Sequence, residues 1–280
     1  MNIKKWLNFA QSMLIHQSNT PKRDAEILLE LITGRSITWL RTFDDVYILN
    51  KIELSKLQSV INRRSNGEPI AYITGKQEFW SLPLSVSPIA LIPRADTEIL
   101  VSQALLHIEN NVGVSVLDLG TGTGAISLAI AVERPDIFVL GVDNNQDALS
   151  LAQHNAKNLS IDNVLFIYSD WFSELYDQKF NIIVSNPPYI DPSDEHLQQG
   201  DLRFEPLSAL ISKQHGFFDL KKIISNASKY LKKFGWLLVE HGWLQGKDVR
   251  NLMINNHFKN ILTYLDYGNN ERVTRGQKKD

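Results

Sequence analysis

Apolar positions in the first 75 residues recur at helical spacing. Ile3, Trp6, Leu7, Ala10, Met13 and Leu14 form one stripe, which predicts a helix with a buried face. Thr20-Pro21 offers an N-cap and a first-turn proline to a second helix over 25–32, stopped by Gly34. Leu54, Leu57, Val60 and Ile61 mark a third, ended by Gly67. These stripes read as core packing, so residues 1–75 are expected to be a small helical domain. Between 76 and 93 the pattern changes. Phe79-Trp80, Leu82, Leu84 and Val86, with Pro83 and Pro88 among them, predict short extended segments, a hairpin that links two domains.

From residue 94 to 280 strand and helix patterns alternate. The spacing predicts a helix over 96–109, strand 115–119, helix 124–132, strand 138–142, helix 146–157, and strands 164–168 and 181–185. A helix over 217–233, strand 236–240, a helix over 245–256 and a terminal strand pair follow. Such alternation implies an α/β domain, a mostly parallel sheet with helices on both faces. Ligands of such sheets bind at the carboxyl ends of the strands, near the topological switch point.

Composition narrows the chemistry. The 280 residues hold 29 basic and 31 acidic side chains, a net charge of −2, so a strongly basic nucleic-acid footprint is not a property of the whole chain. No cysteine is present, which excludes a disulfide, a thiolate nucleophile and a Cys-ligated metal. The seven histidines lack metalloenzyme spacing, and no metal is expected. Neither a signal-peptide apolar core nor a run of 18 apolar residues occurs, so a cytoplasmic protein without a membrane span is expected.

Two constellations carry function. The first is Val116-Leu117-Asp118-Leu119-Gly120-Thr121-Gly122-Thr123-Gly124-Ala125, which puts three glycines between a buried strand and a helix. Glycine there permits unusual φ and close approach of a ligand to the backbone. Asp143 ends the next strand, where a carboxylate can accept both hydroxyls of a ribose, so an adenosine-containing ligand is expected. Read as G-x-G-x-x-A, Gly120, Gly122 and Ala125 also fit the NAD fingerprint, whereas no Gly-Lys-Ser/Thr follows to make a P-loop. Asp118 favours S-adenosylmethionine, since its carboxylate would repel a pyrophosphate but could support a cationic methionine moiety.

The second constellation, Asn186-Pro187-Pro188-Tyr189, follows the buried strand at 181–185 and has no role in hydride transfer. Its two prolines stiffen the loop and remove backbone donors. A planar NH2 group needs two acceptors, and the Asn186 side-chain oxygen and the Pro187 carbonyl can supply them while Tyr189 stacks on the plane.

Over nearly its full length the chain resembles the release-factor glutamine methyltransferases. The resemblance rests on Gly67-Glu68-Pro69-Ile70-Ala71-Tyr72-Ile73-Thr74-Gly75, Pro93-Arg94-Ala95-Asp96-Thr97-Glu98, the Asp118 to Gly124 run, Ser169-Asp170-Trp171-Phe172, Asn186 to Tyr189, the 198–206 stretch and Asn270-Glu271-Arg272-Val273-Thr274. It departs at Arg275-Gly276-Gln277, where the family more often has an aliphatic residue, glycine and arginine.

The resemblance implies a class I methyltransferase, Rossmann-like, behind a helical substrate-binding domain. It implies that Gly120, Thr121, Gly122, Thr123, Gly124 and Asp143 contact S-adenosylmethionine and that Trp171, otherwise readable as core, lines its adenine side. Asn186 would touch cofactor and target. Asn186, Pro187 and Tyr189 would carry catalysis, with Pro188 helping to hold the glutamine amide. The product would be S-adenosylhomocysteine and the partners peptide chain release factors, with no nucleic-acid substrate. Two other classes stay open at this point. An adenine amino methyltransferase on DNA or RNA meets the same planar NH2, and a non-enzymatic S-adenosylmethionine-binding module would share the glycine turn.

Overall fold

The computed structural model describes residues 1–108 and 113–280. It divides into two compact units, Met1–Lys76 with Glu195–Phe204, and Gln77–Asp194 with Glu205–Asp280. The segment Glu195–Phe204, inside the stretch expected for the larger domain, thus packs with the helices.

In the helical unit α1 (Ile3–Leu14), α2 (Pro21–Thr33), α3 (Ile37–Thr42), α4 (Lys51–Ser65) and α5 (Ile70–Thr74) close over one core. Ile3, Trp6, Ala10 and Leu14 are buried against Leu28, Leu29, Leu57 and Ile61, with Leu7 and Met13 packed at the edge. The caps are local. Asn50 accepts from the backbone N–H of Glu53 while Glu53 accepts from that of Asn50, and Gly34 ends α2 at φ +66°. Thr20 does not cap α2 as expected. Its hydroxyl donates to Asp24 instead, because Asp24 is buried in an ion pair with Arg64 (2.7 Å) and has a free oxygen to offer. At Gly67 (φ +91°) a Cβ would coincide with the Arg203 guanidinium, which donates to the Asn66 carbonyl. Glycine therefore seats the 195–204 segment on this unit.

The larger unit carries a two-stranded hairpin, β1 (Lys76–Phe79) and β2 (Leu82–Ser85), whose turn residues Trp80 and Ser81 both have positive φ. Glu98 accepts from the Trp80 N–H and holds that turn. Seven strands form the main sheet among the described residues: β3 (Ser115–Leu119), β4 (Phe138–Asp143), β5 (Val164–Tyr168), β6 (Phe180–Ser185), β7 (Leu231–Glu240), β8 (Lys259–Leu265) and β9 (Glu271–Gln277). Their order is β5-β4-β3-β6-β7-β9-β8, all parallel except β9, which is antiparallel to both neighbours.

Alternation along the strands supplies both faces. Val116, Val139 and Ile182 pack with α6 (Glu98–Ile108), α7 (Ala125–Glu133) and α8 (Gln146–Leu159). Leu117, Leu140, Ile183 and Leu237 pack on the other side. There the short α9 (Leu207–Leu210) and α10 (Lys213–Gly216) lead to α11 (Phe218–Tyr230), and α12 (Gly246–Asn255) follows β7. The expected mostly parallel sheet is present. Most boundaries moved by a residue or two, and two differences have a visible cause. A 3-10 turn at Ala95–Thr97 precedes α6, and the last residue expected for that helix, 109, lies outside the described residues. Helix α11 stops at Tyr230 because Leu231 is already paired with Phe180, so β7 begins five residues earlier than its apolar run suggests.

Candidate active site

The chain reverses direction across the sheet between β3 and β6, and that switch point brings the two constellations together. Leu119 is the register partner of Ser185, so Gly120 and Asn186 leave neighbouring strands side by side. The Ser185 hydroxyl donates to the Leu119 carbonyl at 2.7 Å and ties the two strand ends.

On the β3 side the N–H groups of Gly120 and Thr121 both donate to the Val142 carbonyl at 2.9 Å, and Gly124 opens α7 at φ +83°. A Cβ on Gly124 would lie 3.1 Å from Ala152 and Phe166, so this glycine lets α7 pack close on α8 and β5. Gly120 and Gly122, at φ +75° and +56°, instead face a cavity of about 340 Å³. Asp143 lines it too. Its two carboxylate oxygens accept the N–H groups of Gly122 and Asn145, each at 2.9 Å. Burial raises its pKa above the ordinary carboxylate value, and those backbone donors oppose the rise.

Asp118 has a different place from the one expected. It is 0% exposed and does not line the cavity. One oxygen accepts the hydroxyls of Thr121 (2.8 Å) and Ser127 (2.7 Å), and the other has no hydrogen-bond partner among the described residues. Burial pushes its pKa up to about 6. It therefore braces the glycine turn from beneath.

Trp171 enters the cavity wall from the loop after β5, at φ +56°, with its ring 3.4 Å from where a Gly120 Cβ would stand. A bulky residue in the left-handed region is strained. The Ser169 hydroxyl, donating to the Trp171 carbonyl, helps to hold it.

On the β6 side Asn186 and Pro188 line the cavity, and the Asn186 Nδ2 donates to the Thr97 hydroxyl oxygen at 3.2 Å. Pro187 is buried and Tyr189 packs into the core beside α11. Neither side chain lines the cavity; the Tyr189 hydroxyl donates to Glu240. The Tyr189 carbonyl accepts from Gln245 Nε2 at 3.1 Å and lies over Gly216, where a Cβ would come within 2.1 Å of it. The cavity also takes residues to which the sequence reading assigned no role: Thr97 and Arg94 from the quoted 93–98 block, and Asp170 and Lys222, which form an exposed ion pair of 2.9 Å. Arg94 and Thr97 sat in a recognisable motif; Lys222, on the amphipathic α11, gave no signal. Among the described residues no three potential His, Asp or Glu metal ligands cluster.

The glycine turn, the strand-end acid and an asparagine thus share one cavity, and comparison with known proteins shows the family. A methyltransferase domain model matches residues 110–276 and a PrmC N-terminal domain model residues 5–75. The release factor glutamine methyltransferase of Escherichia coli is 51% identical over 277 residues, 99% of each chain, and that of Yersinia pestis 52% over the same span. The chain belongs to the release factor glutamine methyltransferases. The family's fold is seen more distantly in a Pyrococcus furiosus methyltransferase, TM-score 0.54 at 16% identity, covering 81% of this chain and all of that one.

Within the family frame, the departing Arg275 lies on β9, its guanidinium over the rings of Trp236 (4.8 Å) and Tyr264 (5.5 Å) and bonded to His107. The departure is thus absorbed by an aromatic box that does not line the cavity. No described helix is long and apolar enough to cross a membrane.

Proposed function

We propose that this chain transfers the methyl group of S-adenosylmethionine to the side-chain amide nitrogen of the glutamine in the Gly-Gly-Gln motif of peptide chain release factors, as a cytoplasmic enzyme. The observation that carries the reading is near-complete alignment, at about half identity, with proteins named for that activity. The site's chemistry supports it. Gly120 and Gly122 leave backbone free for close approach, Thr121 and Thr123 flank them, Asp143 offers a carboxylate for ribose hydroxyls, and Trp171 offers a ring face for adenine, while Gly124, expected to touch the cofactor as well, packs α7 and does not line the cavity. The residues fit the cofactor: a Cβ at Gly120 or Gly122 would intrude on the space they line.

S-adenosylmethionine, when bound, supplies a methyl made electrophilic by the sulfonium. The protein's part is to present a poor nucleophile, because an amide lone pair is delocalised into its carbonyl. Acceptors at Asn186 Oδ1 and the Pro187 carbonyl would take the two amide N–H bonds, orient the nitrogen and favour positive charge developing on it. Orientation of this kind can contribute on the order of 7–11 kcal/mol in the best intramolecular cases. The buried Pro187 ring and the core-packed Tyr189 hold the loop in shape, so Tyr189 acts on the pocket's form, and the stacking role expected for it is not part of this reading.

Incubation with labelled cofactor tests the reading. Label should appear on intact release factor, and replacement of the acceptor glutamine should abolish it. Asn186→Ala should lose roughly 10²–10³ in rate while remaining folded. Robust labelling of adenine in DNA or RNA, with none on release factor, would overturn the assignment in favour of an amino methyltransferase on nucleic acid.

A further inference from the structure

The loop that begins at Asn186 is held from its far end by a glutamine. Pro187 and Pro188 have no N–H, so the backbone across them can be tethered only through carbonyls or from the residues that follow. The peptide group after Tyr189 is gripped on both sides. Its carbonyl, that of Tyr189, accepts from Gln245 Nε2 at 3.1 Å, and its N–H, that of Ile190, donates to the Leu210 carbonyl at 2.9 Å. The Pro188 ring locks φ between this fixed plane and the Pro187 carbonyl. The direction of the Pro187 carbonyl is therefore set from the Tyr189 end as well as from β6.

Gln245 stands between β7 and α12 and does not line the cavity. Its Oε1 accepts the Gly242 N–H at 2.8 Å. Both partners are backbone groups of fixed polarity, since the Gly242 N–H can only donate and the Tyr189 carbonyl can only accept. The amide therefore has one orientation, with its NH2 toward Tyr189. The turn that carries it is braced as well: the Gln245 N–H donates to the Gly242 carbonyl at 2.8 Å and the His241 N–H to the Arg272 carbonyl at 2.9 Å. Against the Gln245–Tyr189 bond packs a strained turn. Gln214, His215 and Gly216 stand one after another in the left-handed region, at φ +56°, +57° and +82°. That region is costly for residues with a Cβ. Gly216 is buried, and a Cβ there would fall 2.1 Å from the Tyr189 oxygen and 2.8 Å from Gln245 Nε2. Strain of this kind persists only where the surroundings over-determine the conformation, and it concentrates at functional sites.

We propose that Gln245 is a positioning residue for methyl transfer: by donating to the Tyr189 carbonyl it fixes the far end of the Asn186–Tyr189 loop and so aims the Pro187 carbonyl at the acceptor amide. This rests on reading Asn186 and the Pro187 carbonyl as the acceptor clamp.

The test is steady-state methylation of intact release factor by the full-length protein carrying Gln245→Glu or Gln245→Met, with cofactor affinity by calorimetry and folding by circular dichroism. A glutamate at 245 keeps the shape and the acceptor for Gly242, but sets a carboxylate oxygen against the Tyr189 carbonyl, acceptor against acceptor. A methionine keeps the length and removes both bonds. If Gln245 served only the turn at Gly242, Q245E would resemble wild type and Q245M would be the poorer variant. The positioning role reverses that order. Q245E should lower kcat by roughly 10–100-fold, because an ångström of misplacement costs up to about 10² in rate, and Q245M should lose no more than Q245E. Cofactor Kd and the KM for release factor should be little changed in both. Should Q245E not fold, Q245M decides by the same division between kcat and cofactor Kd. The proposal is overturned if Q245E keeps the wild-type kcat while N186A is inactive, or if the loss in the variants lies in cofactor Kd with kcat unchanged. Full activity of N186A would instead remove the clamp reading itself, and the proposal with it.

Discussion

Asp118 and Glu240 are two carboxyls buried at strand ends on either side of the site, and they differ in where their partners come from. Each has a pKa raised by burial, to about 6 and about 7, and each has one oxygen without a hydrogen-bond partner among the described residues. Asp118 is satisfied from its own turn and helix, by Thr121 three residues on and Ser127 nine residues on. Glu240 takes its hydrogen bond from Tyr189, fifty-one residues away, and its charge is felt from Thr97 and Arg272, in two further parts of the chain. The glycine-turn side is therefore built as a local cassette. The Asn186–Tyr189 side is an assembly, whose geometry depends on how distant segments are packed. A cassette can be damaged locally and show it in stability; an assembly can be misaligned without unfolding.

The largest expected effect is on stability against pH. Asp118 has a folded pKa above its unfolded one, so the folded form holds the proton longer, and stability contributed by the neutral form is lost as pH rises from about 4 to about 6. Asp118→Asn cannot ionise. The stability of wild type relative to that variant should fall by ~3 kcal/mol over this window and be flat above it, measured by urea denaturation at a series of pH values. A difference independent of pH would break the comparison, since Asp118 would then ionise with the same pKa in the folded and unfolded protein.

Next comes Gly216→Ala, which attacks the assembly. A Cβ there meets the Tyr189 carbonyl, which is backbone and cannot swing away, and φ is +82° besides. Displacing the acceptor loop by about an ångström should lower methyl transfer by around 10²-fold. Cofactor affinity by calorimetry should stay within about twofold, because the glycine turn is untouched; equal damage to both would show that the two sides are one mechanical unit.

Asp143→Ala should weaken S-adenosylmethionine by roughly tenfold or more, with little loss of fold. The local acceptor for the Gly122 and Asn145 N–H groups also disappears. Unchanged affinity would take Asp143 out of the ribose site. The smallest effect is expected at Asp170, a carboxyl at the same cavity but in solvent. Its ion pair with Lys222 is exposed at both ends, so Lys222→Ala should change unfolding free energy by less than about 1 kcal/mol in a urea titration.

The sequence by itself determined the helical front, the alternating strands and helices behind it, and the two loops that carry chemistry. Those properties follow from short-range regularities: the spacing of apolar side chains, the φ that glycine alone tolerates easily at 120, 122 and 124, and the stiffness of Pro187-Pro188. It also determined the family, through motifs each confined to a few consecutive residues. Only the tertiary structure decided that Asp118 lies beneath the turn, away from the ligand space, that Tyr189 points into the core to meet Glu240, and that Thr97 meets Asn186. It also decided that Glu195–Phe204 packs with the helices, where Gly67 leaves room for Arg203. The direction a strand-end side chain takes depends on the register of its neighbours, Leu119 on Ser185 and Glu240 on Val273, and register is fixed by burial summed over the whole sheet. No short window of sequence contains that sum.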